Sequence, residues 1–83
     1  MRPDEVKALI VQALPDATVQ VEDMTGTGDH FRAVVVSSAF EGKGLVDQHQ
    51  MVYAPLRERM ADQSVHALSL KTMTPVEWAE RNP

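Results

Sequence analysis

Residues 17–37 read ATVQVEDMTGTGDHFRAVVVS, and this stretch decides the fold. Its first part, 17–24, alternates apolar and polar side chains, which is the period of a strand with one buried face. Its last part, 30–37, is a nearly continuous apolar run, which favours a more central strand. Between them, TGTGD at 25–29 is a cluster of turn-forming residues. Two strands around a short loop with glycines predict an antiparallel hairpin.

Helices are predicted on both sides of the hairpin. Before it, residues 3–14 place apolar side chains at the spacing of one helical face, and Pro15 ends that helix. After it, residues 45–61 show a second helical pattern that Pro55 interrupts. Because a proline removes a backbone donor and clashes with the preceding turn, two short helices should meet near Ala54.

A third strand and a terminal helix complete the pattern. Residues 65–71 alternate like a strand, and Thr74 and Pro75 suit the N-cap and first position of a helix that ends near Arg81. The helical connection between the second and third strands favours a right-handed crossover, which makes those strands parallel. The predicted fold is therefore α+β, with a small three-stranded mixed sheet and helices packed on one face.

Composition favours a single cytoplasmic domain over residues 1–83. The chain has 83 residues, of which 43% are hydrophobic, which suffices for one modest core. No apolar run reaches the ~18–20 residues that a membrane span needs, and no apolar leader follows Met1, so neither a membrane nor secretion is predicted. The absence of cysteine excludes disulfides, thiolate metal sites and thiol enzymes.

Charge makes nucleic acid a possible partner only through a local patch. The net charge is -4, and affinity for DNA comes largely from neutralising phosphates. In or near the helical region 45–61, the acidic residues Glu58 and Asp62 lie among the basic ones and would weaken a positive patch. An ordinary solvated surface is therefore the alternative. The candidate DNA-contacting residues are Lys43, Arg57, Arg59 and Lys71.

No catalytic site is predicted, so the chain is not expected to be an enzyme. Ser37 and Ser38 lack the context of an activated nucleophile, and the glycines at 26–28 lack the spacing and lysine of a phosphate-binding loop. Asp47 and Asp62 lie on predicted polar faces, where carboxylates are ordinarily solvated.

Two histidines lie on or beside predicted strands. His66 falls on the third strand, on one face with Leu68 and Leu70, where an isolated histidine is usually a packing residue. His30 begins the second strand beside the loop, where a solvated turn residue is the alternative to a metal ligand. Asp29 is an oxygen-donor alternative, although carboxylates favour harder metals than imidazole does.

The third histidine, His49, shares a helical face with Leu45, Val52 and Tyr53. That position favours a hydrogen-bonded core histidine over a ligand. The spacing of the three histidines matches no zinc pattern.

Three segments together resemble the BolA family in order and spacing. The first is FEGK at 40–43 with V-x-x-HQMVY at 46–53. The second is VHALSLKT at 65–72, and the third is TP-x-x-W at 74–78. The resemblance runs from the first helix to the tryptophan and implies a type II KH-like fold of order αββααβ(α). RNA-binding KH domains place a GxxG loop between two helices, and residues 53–56 here contain no glycine.

The resemblance also implies partners and a cargo. BolA proteins pair with monothiol (CGFS-type) glutaredoxins and glutathione, share a bridging 2Fe–2S cluster, and act in iron–sulfur trafficking or assembly and in iron sensing. Some members are described as DNA-binding transcriptional regulators linked to stress, which makes DNA binding the alternative function. We expect the free protein to be a monomer or a weak homodimer without the cluster.

The family pattern maps ligands onto two residues of this chain. Its histidine on the last strand corresponds to His66. The second ligand comes from the hairpin loop as cysteine or histidine, and a chain without cysteine fits only the histidine-type subgroup, which indicates His30. Since a two-iron cluster usually takes four ligands, the remaining thiolates would come from the glutaredoxin's active-site cysteine and from glutathione.

Overall fold

The computed structural model describes residues 1–81. Its strands are β1 (Thr18–Asp23), β2 (His30–Val36) and β3 (Ala67–Met73). Its α-helices are α1 (Pro3–Ala13), α2 (Leu45–Tyr53), α3 (Arg57–Ala61) and α4 (Pro75–Arg81), with short 3-10 helices at Ser38–Phe40 and Ala54–Leu56. The predicted order of helices and strands is confirmed. Within the described residues, none of the helices has the length and apolar character needed to cross a membrane.

The sheet has the order β1-β2-β3, with β2 in the centre as predicted. β1 pairs with β2 in antiparallel fashion, from Thr18 opposite Val36 to Asp23 opposite Phe31. β2 pairs with β3 in parallel, and His30 lies opposite Ala67. The hairpin and the helical crossover are therefore both confirmed, because a parallel neighbour requires a long connection.

The helices cover one face of this sheet. On β2 the buried residues Phe31, Ala33 and Val35 alternate with exposed Arg32 and half-buried Val34, so one face of the strand meets the core. The core consists of Val6, Ile10, Leu14, Val19, Phe31, Ala33, Val35, Phe40, Val52, Leu56 and Val65. These contacts confirm the α+β fold with helices packed on one face of a mixed sheet.

Proline and capping residues act where the sequence places them. α2 ends at Tyr53 and α3 begins at Arg57, with Pro55 in the 3-10 helix between them, because proline has no N–H for an α-helical bond. At α4, the Thr74 hydroxyl accepts from the Glu77 N–H at 3.3 Å, and the Glu77 carboxylate accepts from the Thr74 N–H at 2.9 Å. This reciprocal pair confirms Thr74 as the N-cap.

The end of β2 is tied to the turn after α1 by Asp16. Its carboxylate accepts from the Ser37 hydroxyl at 2.9 Å, from the Ser38 N–H at 2.9 Å and from the Ser38 hydroxyl at 2.7 Å. These bonds, with the Ser38 hydroxyl first, lower the pKa of Asp16. The serine pair therefore has a structural role at this junction.

β3 begins and ends two residues later than the alternation predicts. The pattern indicates 65–71, whereas the strand covers Ala67–Met73. Val65 is fully buried although it lies outside the paired ladder, and side-chain pattern alone does not distinguish such a residue from a strand residue. His66 consequently precedes the strand and is exposed, so its predicted placement on a leucine face is wrong.

The buried face of α2 also differs from the predicted one. Leu45 is 63% exposed, and His49 is half-buried with its ring edge-on to Tyr53 at a centroid distance of 6.3 Å. The residue that reaches the core is Gln48, at 8% exposure, together with Val52. The expectation of a core histidine at position 49 is therefore wrong, because a glutamine with satisfied hydrogen bonds occupies the inward position.

Gln48 joins three parts of the chain inside the protein. Its Nε2 donates to the carbonyls of Phe40 at 3.3 Å and Lys43 at 2.9 Å, and its Oε1 accepts from the Thr72 hydroxyl at 2.7 Å. Among the described residues, no buried side-chain nitrogen or oxygen is left without a partner. The network fixes α2 and the preceding loop against β3.

Replacing Gln48 by alanine should destabilise the fold. The change removes the partner of the Lys43 carbonyl and of the buried Thr72 hydroxyl, so we expect a loss of about 2–3 kcal/mol in the free energy of unfolding. Urea denaturation followed by far-ultraviolet circular dichroism measures this loss. The matched control is Gln50→Ala on the exposed side of the same helix, which should change stability by less than about 0.5 kcal/mol. Equal losses in the two variants would contradict the role of the network.

Candidate functional site

The hairpin loop between β1 and β2 is held by one carboxylate. Asp23 accepts from the backbone N–H groups of Thr25 at 3.2 Å, Gly26 at 2.9 Å and Gly28 at 2.9 Å. Gly28 has φ +77, and a Cβ there would lie 2.8 Å from the carbonyl oxygen of Met1, so a side chain would meet both strain and a clash. The hydrogen bonds of the loop therefore fix the backbone that leads into Asp29 and His30 at the start of β2.

The parallel register brings the two sequence-predicted ligands together. His30 begins β2 opposite Ala67, and His66 immediately precedes Ala67. Parallel strands start at the same end of a sheet, so the two imidazoles become neighbours although they are far apart in sequence. Their ring centroids lie 5.0 Å apart with an angle of 50° between the ring planes.

The histidine pair is accessible from solvent. His66 is exposed, and the side chain of His30 retains 39% of its accessible surface. A packing histidine would be enclosed by apolar neighbours, which is the arrangement expected for an isolated core histidine. The pair therefore lies where a second molecule has direct access to both rings.

Asp29 adjoins both histidines. Its carboxylate Oδ1 lies 2.9 Å from His30 Nδ1 and also accepts from the Thr27 hydroxyl. These two hydrogen bonds, with that of Thr27 first, lower the pKa of Asp29 from 3.8 to about 2. The carboxylate is therefore ionised near neutral pH, and an ionised carboxylate acts only as a hydrogen-bond acceptor.

The histidine pair offers two nitrogen donors of the kind that bind transition metals. Asp29 occupies His30 Nδ1, which leaves Nε2 for a metal. Two imidazoles bound to one ion at about 2.0–2.1 Å would have centroids about 5 Å apart, near the observed spacing. Within residues 1–81 no group of three or more His, Asp or Glu side chains is arranged to hold a metal ion. The donors that the described structure brings together here are therefore the two imidazoles.

Among the four candidate DNA-contacting cations, Lys71 lies on the sheet and the others on or beside the helices. Lys71 lies on the exposed face of β3, opposite Val34 of β2 and away from the helices. Arg57 and Arg59 lie on α3, and the Arg59 guanidinium is 3.9 Å from the Asp62 carboxylate. The remaining cation, Lys43, lies in the loop before α2, beside the acidic Asp47.

The role of Asp29 as a partner of His30 is not apparent from the sequence. Sequence reasoning treats Asp29 as an oxygen donor to metal, whereas the structure uses its carboxylate as a hydrogen-bond acceptor for the ring of His30. The available signal is the adjacency of an acidic residue and a histidine after a glycine-containing turn. That signal gains meaning only when the loop conformation is known.

These features define a small α+β protein of type II KH-like order with two accessible imidazoles at one end of its sheet. The BolA-like protein family pattern matches residues 8–77. This chain therefore belongs to the BolA-like family, as its sequence segments indicate.

Known relatives and structures agree with this assignment. The chain is 38% identical over 79 residues to the acid stress protein IbaG of Escherichia coli strain K12, covering 95% of this chain and 90% of that protein. A Bol-like protein from Babesia bovis superimposes with a TM-score of 0.85 at 31% identity, covering 100% and 95% of the two chains. The BolA domain of SufE1 from Arabidopsis thaliana gives 0.79 at 32% identity, covering 92% and 94%.

Removing the Thr27 hydroxyl should raise the pKa of Asp29. In Thr27→Val the larger of the two stabilising hydrogen bonds is lost, so the pKa of the carboxyl should rise from about 2 towards 3.8. A carbon-13 NMR titration of the aspartate carboxyl groups measures the change. Thr18→Val, at an exposed position of β1, is the control and should leave the titration of Asp29 unchanged.

The sign of the linked stability change follows from the direction of this shift. A carboxyl whose pKa is lower in the folded protein stabilises the fold above its unfolded value of 3.8, and this contribution is lost as the pH falls towards 2. Thr27→Val should therefore weaken the part of the acid dependence of stability that lies between these values. A wild-type Asp29 that titrates near 3.8 would contradict the hydrogen-bond assignment.

Proposed function

We propose that this protein is a non-catalytic adaptor that binds a monothiol (CGFS-type) glutaredoxin and shares a bridging 2Fe–2S cluster with it. His66 would be the principal ligand and His30 the second. The observation that carries the proposal is the pair of accessible imidazoles 5.0 Å apart at the start of two parallel strands. Membership of the BolA-like family supports the same function, because the family resemblance implies this partner and cargo.

The absence of cysteine makes a partner necessary for this chemistry. A two-iron cluster usually takes four ligands, and this chain offers two imidazoles and no thiolate. The active-site cysteine of a monothiol glutaredoxin and the cysteine of bound glutathione would supply the other two. In this arrangement the cluster is a cargo held at an interface, and neither protein completes its ligand set alone.

Imidazole ligands suit a cargo that has to leave. Replacing thiolates by histidine raises the reduction potential of a 2Fe–2S cluster, as in Rieske centres. A histidine must also be deprotonated to bind metal, so binding depends on pH. An exposed pair at the rim of the sheet therefore fits trafficking, assembly or iron-stress regulation better than permanent storage.

Each ligand can be tested by replacing it with alanine. The protein is mixed with a monothiol glutaredoxin, glutathione, iron and sulfide under anaerobic reducing conditions, and the visible absorption and circular dichroism of the complex are recorded. His66→Ala should abolish the cluster signature of the heterodimer, and His30→Ala should weaken or alter it, because each removes one of the nitrogen ligands.

The third histidine provides a matched control. His49→Ala removes an imidazole that contacts Tyr53 on α2 and is not part of the pair, so the complex should keep its wild-type spectrum. A spectrum unchanged in His66→Ala, or lost equally in all three variants, would contradict the ligand assignment.

The alternative function, DNA binding through the region 45–61, has less support from the structure. The net charge is -4, Lys71 lies on the opposite side of the sheet from α2 and α3, and Arg59 is close to a carboxylate. The start of α2 exposes Leu45 and Val46 at 63% and 69%, and apolar side chains do not neutralise phosphates. We therefore do not propose DNA binding as the function.

A salt titration separates the two functions. Electrophoretic mobility of duplex DNA at low and at physiological salt should show no specific complex with the wild-type protein. If a complex forms, weakens steeply with salt and is lost in a Lys43→Ala, Arg57→Ala double variant, then the DNA-binding alternative is correct.

A further inference from the structure

One residue contacts both candidate ligands through different groups. The Asp29 side chain meets the ring of His30, with 2.9 Å between Oδ1 and Nδ1. The Asp29 carbonyl oxygen accepts from the backbone N–H of His66 at 2.7 Å and from that of Ala67 at 3.2 Å. Asp29 thus contacts one histidine through its carboxylate and the other through its backbone carbonyl.

We infer that Asp29 is a positioning residue, which keeps His30 protonated at Nδ1 with Nε2 free to bind a metal, and anchors His66 beside it. This inference rests on the proposed function, because it assigns the geometry of the two ligands named there. Asp29 is not assigned as a ligand, because the Oδ1 that meets His30 also accepts from the Thr27 hydroxyl and so acts as a hydrogen-bond acceptor.

The side-chain part of the inference follows from donor and acceptor chemistry. A carboxylate has no proton to give, so the short contact requires His30 Nδ1 to carry the hydrogen. In the neutral ring Nε2 then has the free lone pair. Metal-binding histidines almost always donate their other N–H to a carboxylate, a carbonyl or water, and such a bond fixes the tautomer and increases the basicity of the ligand.

The loop keeps the carboxylate in place. The Thr27 hydroxyl donates to the same Oδ1 that meets His30, so the oxygen is held from two sides. Asp23 holds the backbone of Gly26 and Gly28 just before it. Asp29 is therefore an ordered acceptor and not a freely rotating surface carboxylate.

The backbone part of the inference concerns the start of β3. Two successive N–H groups, those of His66 and Ala67, converge on the Asp29 carbonyl, which ties the segment before the strand to the hairpin loop. The loop that leads to His66 is irregular and contains Gln63 in the left-handed region, at φ 65. The Asp29 carbonyl therefore fixes the position of His66 at the start of β3. The Asp29 side chain determines which ring nitrogen of His30 has the free lone pair.

The tautomer of His30 in the free protein tests the side-chain role without any cluster. Long-range proton–nitrogen NMR spectra, recorded where the imidazoles are neutral, distinguish a ring protonated at Nδ1 from one protonated at Nε2. Wild-type His30 should carry the proton at Nδ1, and Asp29→Ala should shift it mainly to Nε2. His66, which has no side-chain hydrogen bond in the described structure, is an internal reference in the same spectra.

Two controls separate this role from a general effect on the fold or the charge. Asp29→Ala keeps the backbone carbonyl, so the amide signals of His66 and Ala67 should stay near their wild-type positions. Asp62→Ala removes a carboxylate that accepts from Ser64 and touches neither histidine, and it should leave the His30 tautomer unchanged. A wild-type ring protonated at Nε2, or a ring unaffected by Asp29→Ala, would overturn the inference, as would an equal effect of Asp62→Ala.

A second measurement addresses the loaded complex. In the cluster-bridged heterodimer, Asp29→Ala should speed the loss of the visible circular dichroism signal to an iron chelator by about 10–100-fold, the usual effect of removing such a partner. A wild-type rate in this variant would overturn the positioning role. If the wild-type protein itself assembles no cluster, then the proposed function fails, and the tautomer measurement still decides whether Asp29 orients His30.

Discussion

The parallel pairing of β2 with β3 is the constraint on which the site depends. It aligns His30 with Ala67 and so places His66 next to the first residue of β2. Neither imidazole needs a special backbone to reach the other, because the hydrogen-bond ladder already brings both strand starts to one end of the sheet. The helices of the crossover pack on one face of the sheet. The strand starts lie at one end of it, where His66 is exposed and His30 is half-buried. Packing and site are thus consequences of the same register.

Three irregular segments of the chain are each held by hydrogen bonds between one polar side chain and backbone groups. Asp23 holds the hairpin loop, Asp16 holds the end of β2, and Gln48 holds the loop before α2. Each replaces hydrogen bonds that an irregular segment would otherwise take from water. The protein has no disulfide, and these contacts order its connections without one. The site inherits that order, because Asp29 belongs to one of the loops held in this way.

Most of the fold follows from side-chain periodicity, but several features of the site do not. The hairpin, the crossover and the break at Pro55 are fixed by apolar pattern, loop chemistry and the missing proline N–H. The ends of β3 are not, because Val65 is buried outside the ladder. The inward position of Gln48 depends on hydrogen bonds to two carbonyls of the preceding loop and on one from the distant Thr72 hydroxyl, which no apolar pattern contains. Taken singly, His30 and His66 have ordinary interpretations as turn and packing residues, and only the family resemblance connects them before the register is known.

The position of the imidazole pair across two paired strands has a thermodynamic consequence. A slip of one residue between β2 and β3 would move His66 by about 3.3 Å and reverse the face of each side chain, so only the native alignment offers both nitrogens together. An ion bound by both rings would therefore act as a clamp on that alignment, and by mass action it would favour the aligned state. Opening of the strand starts and release of such an ion would then be linked equilibria, each of which makes the other easier.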